Sequence, residues 1–286
     1  MPRFLAVGHV TWDRRPGGDV LGGAAAYAAL AARRLGWEAA VLTSASPDFE
    51  PARDLPGIEV FLEPASATTR FVNAYDEQGE RRQTLLARAE PIELSRVPDA
   101  WRSPDVLLLA SVAGELPAGT AASFEAGLVG ATAQGWLREF AADGAVVPRA
   151  WPSPERDLLL VHVLFLSLGD VAGDEARARD LLACVPLVAL TRGWRGVDLW
   201  TRDGVQTVAA LPRPEVDPTG AGDVFAAAFL VRYHESQDPV EAAAFASCAA
   251  SCVVEGVGAS TLGDRGEVER RLRLRERLLE EGEWDE

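Results

Sequence analysis

The order of segments at the start of the chain constrains the fold most. The apolar run "RFLAVGHVT" (residues 3–11), broken by one glycine, is typical of a buried strand. The next segment, "GGAAAYAALAARRLGW" (residues 22–37), is rich in alanine, opens on two glycines, closes at Leu-Gly and predicts a helix. A second strand, "EAAVLTSAS" (residues 38–46), follows directly. A strand, a helix and a strand in this order begin a parallel sheet, so the chain belongs to the α/β class.

One segment departs from this alternation. In "TTRFVNAYDEQGERRQTLLAR" (residues 68–88), two extended runs flank a turn in which Gly79 can take a positive φ. Both runs carry many polar residues, which favours a hairpin outside the main sheet. Strands and helices then alternate again, and residues 265–286 predict a charged amphipathic helix. With no internal repeat or long linker, we predict one domain over residues 1–286: a doubly wound, mostly parallel sheet flanked by helices.

The composition limits the partners of this domain. The chain has 286 residues, of which 48% are hydrophobic, enough for a sizeable core. Its net charge of -15 argues against binding to nucleic acid or to an anionic membrane. All 28 basic residues are arginine. Any phosphate chemistry must therefore use arginine, backbone N–H groups or a metal ion.

Cysteines and apolar runs indicate the compartment. The three cysteines, at positions 184, 248 and 252, are few and odd in number, which argues against a disulfide framework. No signal peptide pattern and no apolar run of membrane-spanning length are found. We expect a soluble, cytoplasmic protein.

The stretch "DPTGAGD" (residues 217–223) carries the strongest chemical signal. It has little side-chain bulk and leads into a predicted helix, so that its backbone N–H groups and the positive end of the helix dipole form a site for an anion. Asp223 is then either a carboxylate that stabilises the helix start or a general base beside the bound anion. The residues alone leave both interpretations open.

Two motifs resemble the signatures of one family. "DPTGAGDVFAAAF" is similar to the C-terminal signature of the ribokinase-like (PfkB) carbohydrate kinases, and "LGGAAAYAALAARRLGW" to their N-terminal signature. The spacing of the other segments also fits, so that the resemblance covers essentially the whole chain. It implies a ribokinase-like fold with a small β lid, formed by residues of about 10–21 and 68–90. It also implies ATP as the phosphoryl donor.

The resemblance implies roles for individual residues. Asp223 matches the catalytic base, and Gly220, Ala221 and Gly222 match the anion hole that holds the migrating phosphoryl. Residues 191–196 resemble the Thr-x-Gly-x-x-Gly nucleotide loop. The implied contacts to ATP come from Ser167, Thr191, Gly193, Gly196, Gly222, Ser247 and Gly258.

The acceptor site is implied in the same way. Asp13 matches the acidic residue that binds an acceptor hydroxyl, and Gly22 and Gly23 match the pair that lies against the acceptor. A Gln-Gly-x-x-Arg segment, with Gln134 and Arg138, is similar to one in the inositol and small-sugar kinases of the family. It favours a cyclitol or an unphosphorylated sugar as the acceptor.

The sequence departs from the family at two places. Tyr27 stands where the family often has asparagine, which also points to a different acceptor. The family's Asn-x-x-Glu motif appears only as Ser167 to Asp170. Asp170 can still order a hydrated Mg²⁺ ion, because that ion prefers carboxylates and water. The resemblance further implies a potassium ion near Asp217 and Thr219 and allows a homodimer through the lid.

Two other functions are compatible with these motifs. A nucleoside kinase would use the same fold, with Trp12 or Tyr27 as a platform for the base. A non-catalytic sugar- or nucleotide-binding protein would keep the fold and lose turnover, yet the aspartate and the glycine turn are both intact here. The leading hypothesis is an ATP-dependent kinase for a small sugar or a cyclitol such as an inositol.

Overall fold

The computed structural model describes residues 1–75 and 81–281; the predicted turn at Gly79 and the last residues of the predicted C-terminal helix lie outside them. The strands are β1 (Arg3–Val7), β2 (Thr11–Arg15), β3 (Gly18–Gly22), β4 (Glu38–Ala45), β5 (Glu59–Pro64), β6 (Thr69–Tyr75), β7 (Arg81–Ala87), β8 (Val106–Leu109), β9 (Leu128–Thr132), β10 (Arg138–Phe140), β11 (Val146–Pro148), β12 (Val163–Ser167), β13 (Leu187–Thr191), β14 (Val197–Thr201) and β15 (Gly204–Val208). The helices are α1 (Ala24–Arg34), α2 (Pro51–Asp54), α3 (Pro154–Asp157), α4 (Glu175–Asp180), α5 (Ala221–Ser236), α6 (Pro239–Val253) and α7 (Arg265–Glu281).

The main sheet confirms the predicted α/β class. Within the described ranges it has nine strands in the order β15-β14-β13-β12-β9-β8-β1-β4-β5. The seven strands from β13 to β5 run parallel, and only β14 and β15 at one edge are antiparallel. The chain starts in the middle at β1, builds outward to β5 and then returns to β8 on the other side of β1. This reversal creates a crevice at the carboxyl ends of β1 and β8, where α/β proteins bind ligands.

The parallel strands are apolar because both of their faces are covered. In β1, Phe4 and Ala6 pack into the core on one face, and Leu5 and Val7 pack into the core on the other. On the first face, α5 lies at the centre and packs against α1 and α6. Residues 224–231 of α5 are all buried, so this helix is surrounded by protein. Its N-terminus is therefore held firmly in place.

The second face differs from the predicted alternation of strands and helices. Between β8 and β12 the described chain has one 3-10 turn, the hairpin β10–β11 and the short helix α3 instead of long helices. Large side chains from these loops cover the sheet, and the rings of Trp136 and Trp151 stack at 5.0 Å. Bulky aromatic residues can exclude water from a sheet without a regular helix.

A separate four-stranded sheet forms the predicted lid. Its order is β3-β2-β6-β7, with β2 and β6 parallel and the outer pairs antiparallel. The lid follows directly from β1, since three residues separate the end of β1 from the start of β2. This connection places the lid over the carboxyl edge of the main sheet. Among the described helices, none is long and apolar enough to cross a bilayer.

Candidate active site

The glycine turn before α5 leaves the start of that helix open. Gly220 is the N-cap residue and takes a left-handed conformation, with φ 85°. Within the described residues no side chain caps α5, whereas Asp238 caps α6 by accepting hydrogen bonds from the N–H groups of Val240 and Glu241. An uncapped first turn presents N–H groups and a positive dipole end. The start of α5 is therefore a candidate anion hole, in which the Ala221 N–H already donates to the carbonyl oxygen of Pro218 at 3.1 Å.

Two clefts meet at this turn. Pro218, Ala221 and Gly222 line a cleft of about 760 Å³, counting its open mouth, which we call the donor cleft. Thr219, Gly220 and Asp223 line another of about 430 Å³, which we call the acceptor cleft. The same seven-residue motif thus forms part of the wall of both clefts.

The acceptor cleft brings together most of the residues predicted to bind the acceptor. The predicted residues that line it are Asp13, Gly23, Tyr27, Gln134, Arg138, Gly220 and Asp223. Asp13 is 7% exposed and accepts a hydrogen bond from the Thr11 hydroxyl at 3.3 Å. These residues come from the lid, α1, the segment after β9 and the start of α5, so that the fold assembles the cleft from four separate regions.

Tyr27 lies between the two glycine motifs. Its side chain is 3% exposed, and its hydroxyl has no hydrogen-bond partner among the described residues. Burial raises the pKa of Tyr27, and the nearby carboxylates of Asp13 and Asp223 raise it further. The phenol therefore stays protonated and can donate a hydrogen bond. Its ring packs against Gly220, where an added Cβ would collide with it.

The two glycines before α1 are each required for a different reason. Gly23 takes φ 95° and lines the acceptor cleft, and a Cβ there would lie 2.5 Å from the carbonyl oxygen of His9. Gly22 packs against the lid instead: a Cβ would lie 2.8 Å from Oδ2 of Asp13. Gly22 thus makes room for the carboxylate of Asp13.

The donor cleft contains five of the seven residues predicted to contact ATP: Thr191, Gly193, Gly196, Gly222 and Ser247. Gly196, at φ 100°, lies so close to β15 that a Cβ would collide with the carbonyl of Val208. Trp194 sits between these glycines, lines the cleft and is 70% exposed. Ser247, Ala250, Ser251 and Val254 on α6 line the cleft as well.

Two predicted ATP contacts lie elsewhere. The Ser167 hydroxyl donates a hydrogen bond to Oδ2 of Asp170 at 2.7 Å, and the Ser167 N–H donates to the same oxygen at 2.8 Å. Neither residue lines either cleft. Gly258 is also outside the donor cleft; a Cβ there would lie 3.3 Å from Val20 of the lid and 3.8 Å from the Tyr27 hydroxyl. The family resemblance gave the position of Gly258 in the sequence, but it could not show that the loop around Gly258 lies against the lid.

The acidic residues are compatible with only a weak protein site for Mg²⁺. No group of three or more potential ligands of the His, Cys, Asp or Glu type occurs in the part of the chain that the structure describes. Asp170 uses one oxygen for Ser167, which leaves its other oxygen for a water bound to the ion. Mg²⁺ is commonly held by one or two carboxylates together with substrate phosphates. Because Asp170 lines neither cleft, it could take part only through water, and the donor would supply most of the ligands.

Some residues that line the acceptor cleft were not predicted from the sequence. Phe71 and Gln83 reach the acceptor cleft from the lid, and Val112 reaches it from the loop after β8. The lid strands give no motif, and only their alternation of polar and apolar residues could have suggested an inward face.

The carboxyl edge of a parallel sheet, a β lid and an open helix start between two clefts are the features of the ribokinase-like class. The sequence profile of the pfkB family carbohydrate kinases matches residues 158–264. Inositol 3-kinase from Zea mays is 29% identical over 266 residues, which cover 85% of this chain and 68% of the maize protein. The chain belongs to the PfkB carbohydrate kinase family.

Two further comparisons extend this result. A nucleoside kinase from Methanothermobacter thermautotrophicus is 38% identical over 87 residues, 30% of this chain and 28% of that protein. A structure described as a "pyrophosphate-dependent kinase in the ribokinase family complexed with a pyrophosphate analog and myo-inositol" gives a TM-score of 0.78 at 20% identity. It covers 93% of this chain and 99% of the other. At that identity the likeness shows the shared fold.

Proposed function

We propose that the protein transfers the γ-phosphoryl group of ATP to a hydroxyl of a small sugar or a cyclitol, for example an inositol. One observation carries the proposal: the open start of α5 is shared by two clefts, with Gly222 on one side and Asp223 on the other. A phosphoryl group held by the N–H groups of this turn is accessible to a donor from one cleft and to an acceptor from the other.

The proposed reaction uses Asp223 as the general base. Its carboxylate takes the proton of the acceptor hydroxyl as the hydroxyl oxygen attacks the γ-phosphorus. The bond between that phosphorus and the bridging oxygen of ADP breaks, and ADP leaves through the donor cleft. The N–H groups at the start of α5 stabilise the charge on the transferring group. Mg²⁺, when bound with the nucleotide, would neutralise phosphate charge, and Asp170 would orient it through a water molecule.

The walls of the donor cleft favour ATP over pyrophosphate. Exposed Trp194 faces a largely apolar cleft, and an aromatic face and apolar walls suit a nucleobase. Arg213 is the one arginine that lines this cleft among the described residues, and Glu255 lies 3.5 Å from its Nε. A pyrophosphate site would need more unpaired cations than this cleft supplies.

The walls of the acceptor cleft favour a polyol. Hydroxyl, carboxylate and amide groups outnumber the apolar side chains there, which are Ala24, Phe71 and Val112. Asp13 accepts hydrogen bonds, Tyr27 can donate one, and Gln134 can do both. A site of this kind discriminates strongly against analogues that lack one hydroxyl, because its polar groups then lose their partners.

A nucleoside kinase is the second candidate. It is supported by the local match to the archaeal nucleoside kinase. In the cleft, however, Phe71 and Tyr27 are each 3% exposed, which leaves little ring surface for a base.

A matrix of donors and acceptors tests both choices. ATP and pyrophosphate are each combined with inositols, simple sugars and nucleosides, and phosphorylated product is measured by mass spectrometry. We expect ATP with a cyclitol or sugar to give the highest kcat/KM. Better turnover of a nucleoside than of every polyol would promote the second candidate. The homodimer through the lid stays a prediction, which light scattering in solution can check.

A further inference from the structure

The carboxylate of Asp217 is fully engaged by the protein itself. Its Oδ2 accepts a hydrogen bond from Nη2 of Arg15 at 2.6 Å, and its Oδ1 accepts one from the Thr219 N–H at 3.0 Å. Asp217 is 7% exposed, so little water competes for these oxygens. The two ion-paired residues lie 202 positions apart in the chain. Arg15 ends the lid strand β2, and Asp217 opens the glycine turn.

This arrangement disagrees with the potassium ion that the family resemblance implies near Asp217 and Thr219. A potassium ion needs several oxygen ligands, and the side chain of Asp217 offers none that is not already hydrogen-bonded. A second cation would also lie close to the guanidinium of Arg15, and like charges repel strongly where water is scarce. The Asp217 side chain is therefore unsuited to potassium while Arg15 is in place.

Arg15 sits among the acidic groups of the active site. Burial opposes its charge, but the hydrogen bond to Asp217 and the nearby carboxylates of Asp217 and Asp13 raise its pKa overall. For Asp217, burial alone would raise the pKa, but the hydrogen bonds from Thr219 and Arg15 lower it. The pair stays ionised across the working pH range, because arginine does not deprotonate in proteins.

We propose that Arg15 is a tethered cation that takes the place of a monovalent metal ion at Asp217. It is a positioning residue: by fixing Asp217, it fixes the Thr219 N–H and the turn that leads to Gly220 and the anion hole. Because the cation belongs to the lid, the anion hole is complete only when the lid strand β2 lies against the turn. The consequence for catalysis rests on the proposed kinase function, and the consequence for cation binding does not.

The first experiment needs no substrate. The melting temperature of the wild-type protein is measured in the chlorides of potassium, sodium and tetramethylammonium at equal ionic strength. We expect no difference between the three salts. In Arg15→Ala we expect a lower melting temperature that rises with potassium concentration, since an ion that binds only the folded state stabilises it.

The second experiment measures turnover with the best donor and acceptor from the matrix. Wild-type rates should be the same in the three salts. Arg15→Ala should lower kcat by roughly 10- to 100-fold, as a slightly displaced site does, and potassium should restore part of the loss. Arg14→Ala is the matched control, because Arg14 is the neighbouring arginine of β2 and pairs with Asp19 near the surface. It should keep the wild-type rate and show no cation response.

Two results would overturn the proposal. Wild-type protein that gains stability or rate from potassium but not from tetramethylammonium would show that a metal ion is used beside Arg15. An Arg15→Ala variant that no cation stabilises or reactivates would reduce Arg15 to a structural ion pair. If Arg15→Ala does not fold, Arg15→Lys is used in its place, together with the wild-type salt series. The melting temperature of Arg15→Lys should not change with potassium concentration. If no donor and acceptor pair gives product, the proposed function fails, and the melting experiment still tests the cation.

Discussion

Asp223 lies in the first turn of α5 and lines the acceptor cleft. We predict that Asp223→Asn lowers kcat by about 10²–10⁴-fold, the usual loss when a general base is removed. The change should cost at most about 1 kcal/mol of stability, because a carboxylate near a helix N-terminus contributes little more than that. Initial rates and urea unfolding of the purified variant measure the two effects.

Glu241 provides the matched control for Asp223, because it is the first-turn carboxylate of α6, away from both clefts. Glu241→Gln should keep the wild-type rate. If Asp223→Asn also keeps it, Asp223 only stabilises its helix, which is the other interpretation that the sequence left open.

The two outer glycines of the turn should respond differently to alanine. Gly220 needs φ 85° and has Tyr27 against it, so Gly220→Ala is strained and is expected to cost about 1–3 kcal/mol along with activity. Gly222 is helical, and no atom lies within 4 Å of an added Cβ. Gly222→Ala should therefore keep its unfolding midpoint and raise the KM for the donor. Equal effects of the two changes on stability would contradict this assignment.

A sequence motif predicts where a single residue lies only when the backbone conformation of the motif itself fixes that position. The positions of Gly220 and Asp223 at the start of α5 could be predicted, because a glycine turn that leads into a helix has a characteristic geometry. Ser167 and Gly258 could not, since their surroundings depend on loops that carry no motif. Ser167 and Asp170 close a local turn, and Gly258 faces Val20 of the lid rather than the donor cleft.

At the scale of elements, the loop from Gly193 to Arg195 presents Trp194 to the donor cleft. Stacking of a base on an aromatic ring contributes about 1–3 kcal/mol. We therefore predict that Trp194→Ala raises the Kd for ATP by roughly 10- to 100-fold, with about 1.4 kcal/mol for each factor of ten. Binding of pyrophosphate should change little, because it has no ring to stack. Isothermal titration calorimetry measures both ligands.

Two further variants separate stacking from general damage in this region. Trp194→Phe keeps a ring and should retain most of the affinity. Val205→Ala removes an exposed apolar side chain from the nearby strand β15, outside the cleft, and should bind ATP as the wild type does. Equal loss of ATP and pyrophosphate binding in Trp194→Ala would mean that the loop shapes the phosphate site instead.

For the whole molecule, the sequence predicted the sheet, the lid and the glycine turn, because each depends on local pattern or on motif spacing. It did not predict that Arg15 reaches Asp217, and it assigned that carboxylate to a potassium ion. Contacts between a lid and a distant loop depend on how two sheets are oriented, and no local pattern encodes that. The alternation of strands and helices also failed between β8 and β12, where aromatic loops cover the sheet.

The buried side chain of Glu115 links the loops of the main sheet to the lid. It is 1% exposed and accepts hydrogen bonds from the N–H groups of His9, Val112 and Ala113 and from the Ser111 hydroxyl. The His9 ring in turn lies 2.8 Å from the Thr69 hydroxyl of lid strand β6. One buried carboxylate thus holds the loops after β1 and β8. The second loop reaches the acceptor cleft through Val112, and the first leads into Thr11, which also lines that cleft.

This carboxylate should make the protein sensitive to acid. Burial alone would raise the pKa of Glu115, but His9 and the backbone N–H groups lower it below its usual value. A lowered pKa contributes stability that is present above the unfolded value, about 4.3, and is lost as the pH falls through the folded value. Glu115→Gln should cost about 3 kcal/mol at pH 7, because the amide places a donor where donors already point. Urea unfolding from pH 7 to pH 3 should show that the difference in unfolding free energy between variant and wild type, the gap, narrows below about pH 4.

The exposed Glu93 is the control, and Glu93→Gln should follow the wild-type curve. A gap that stays constant with pH would mean that the pKa of Glu115 is the same in the folded and unfolded protein, and a gap that widens as the pH falls would mean that folding raises it.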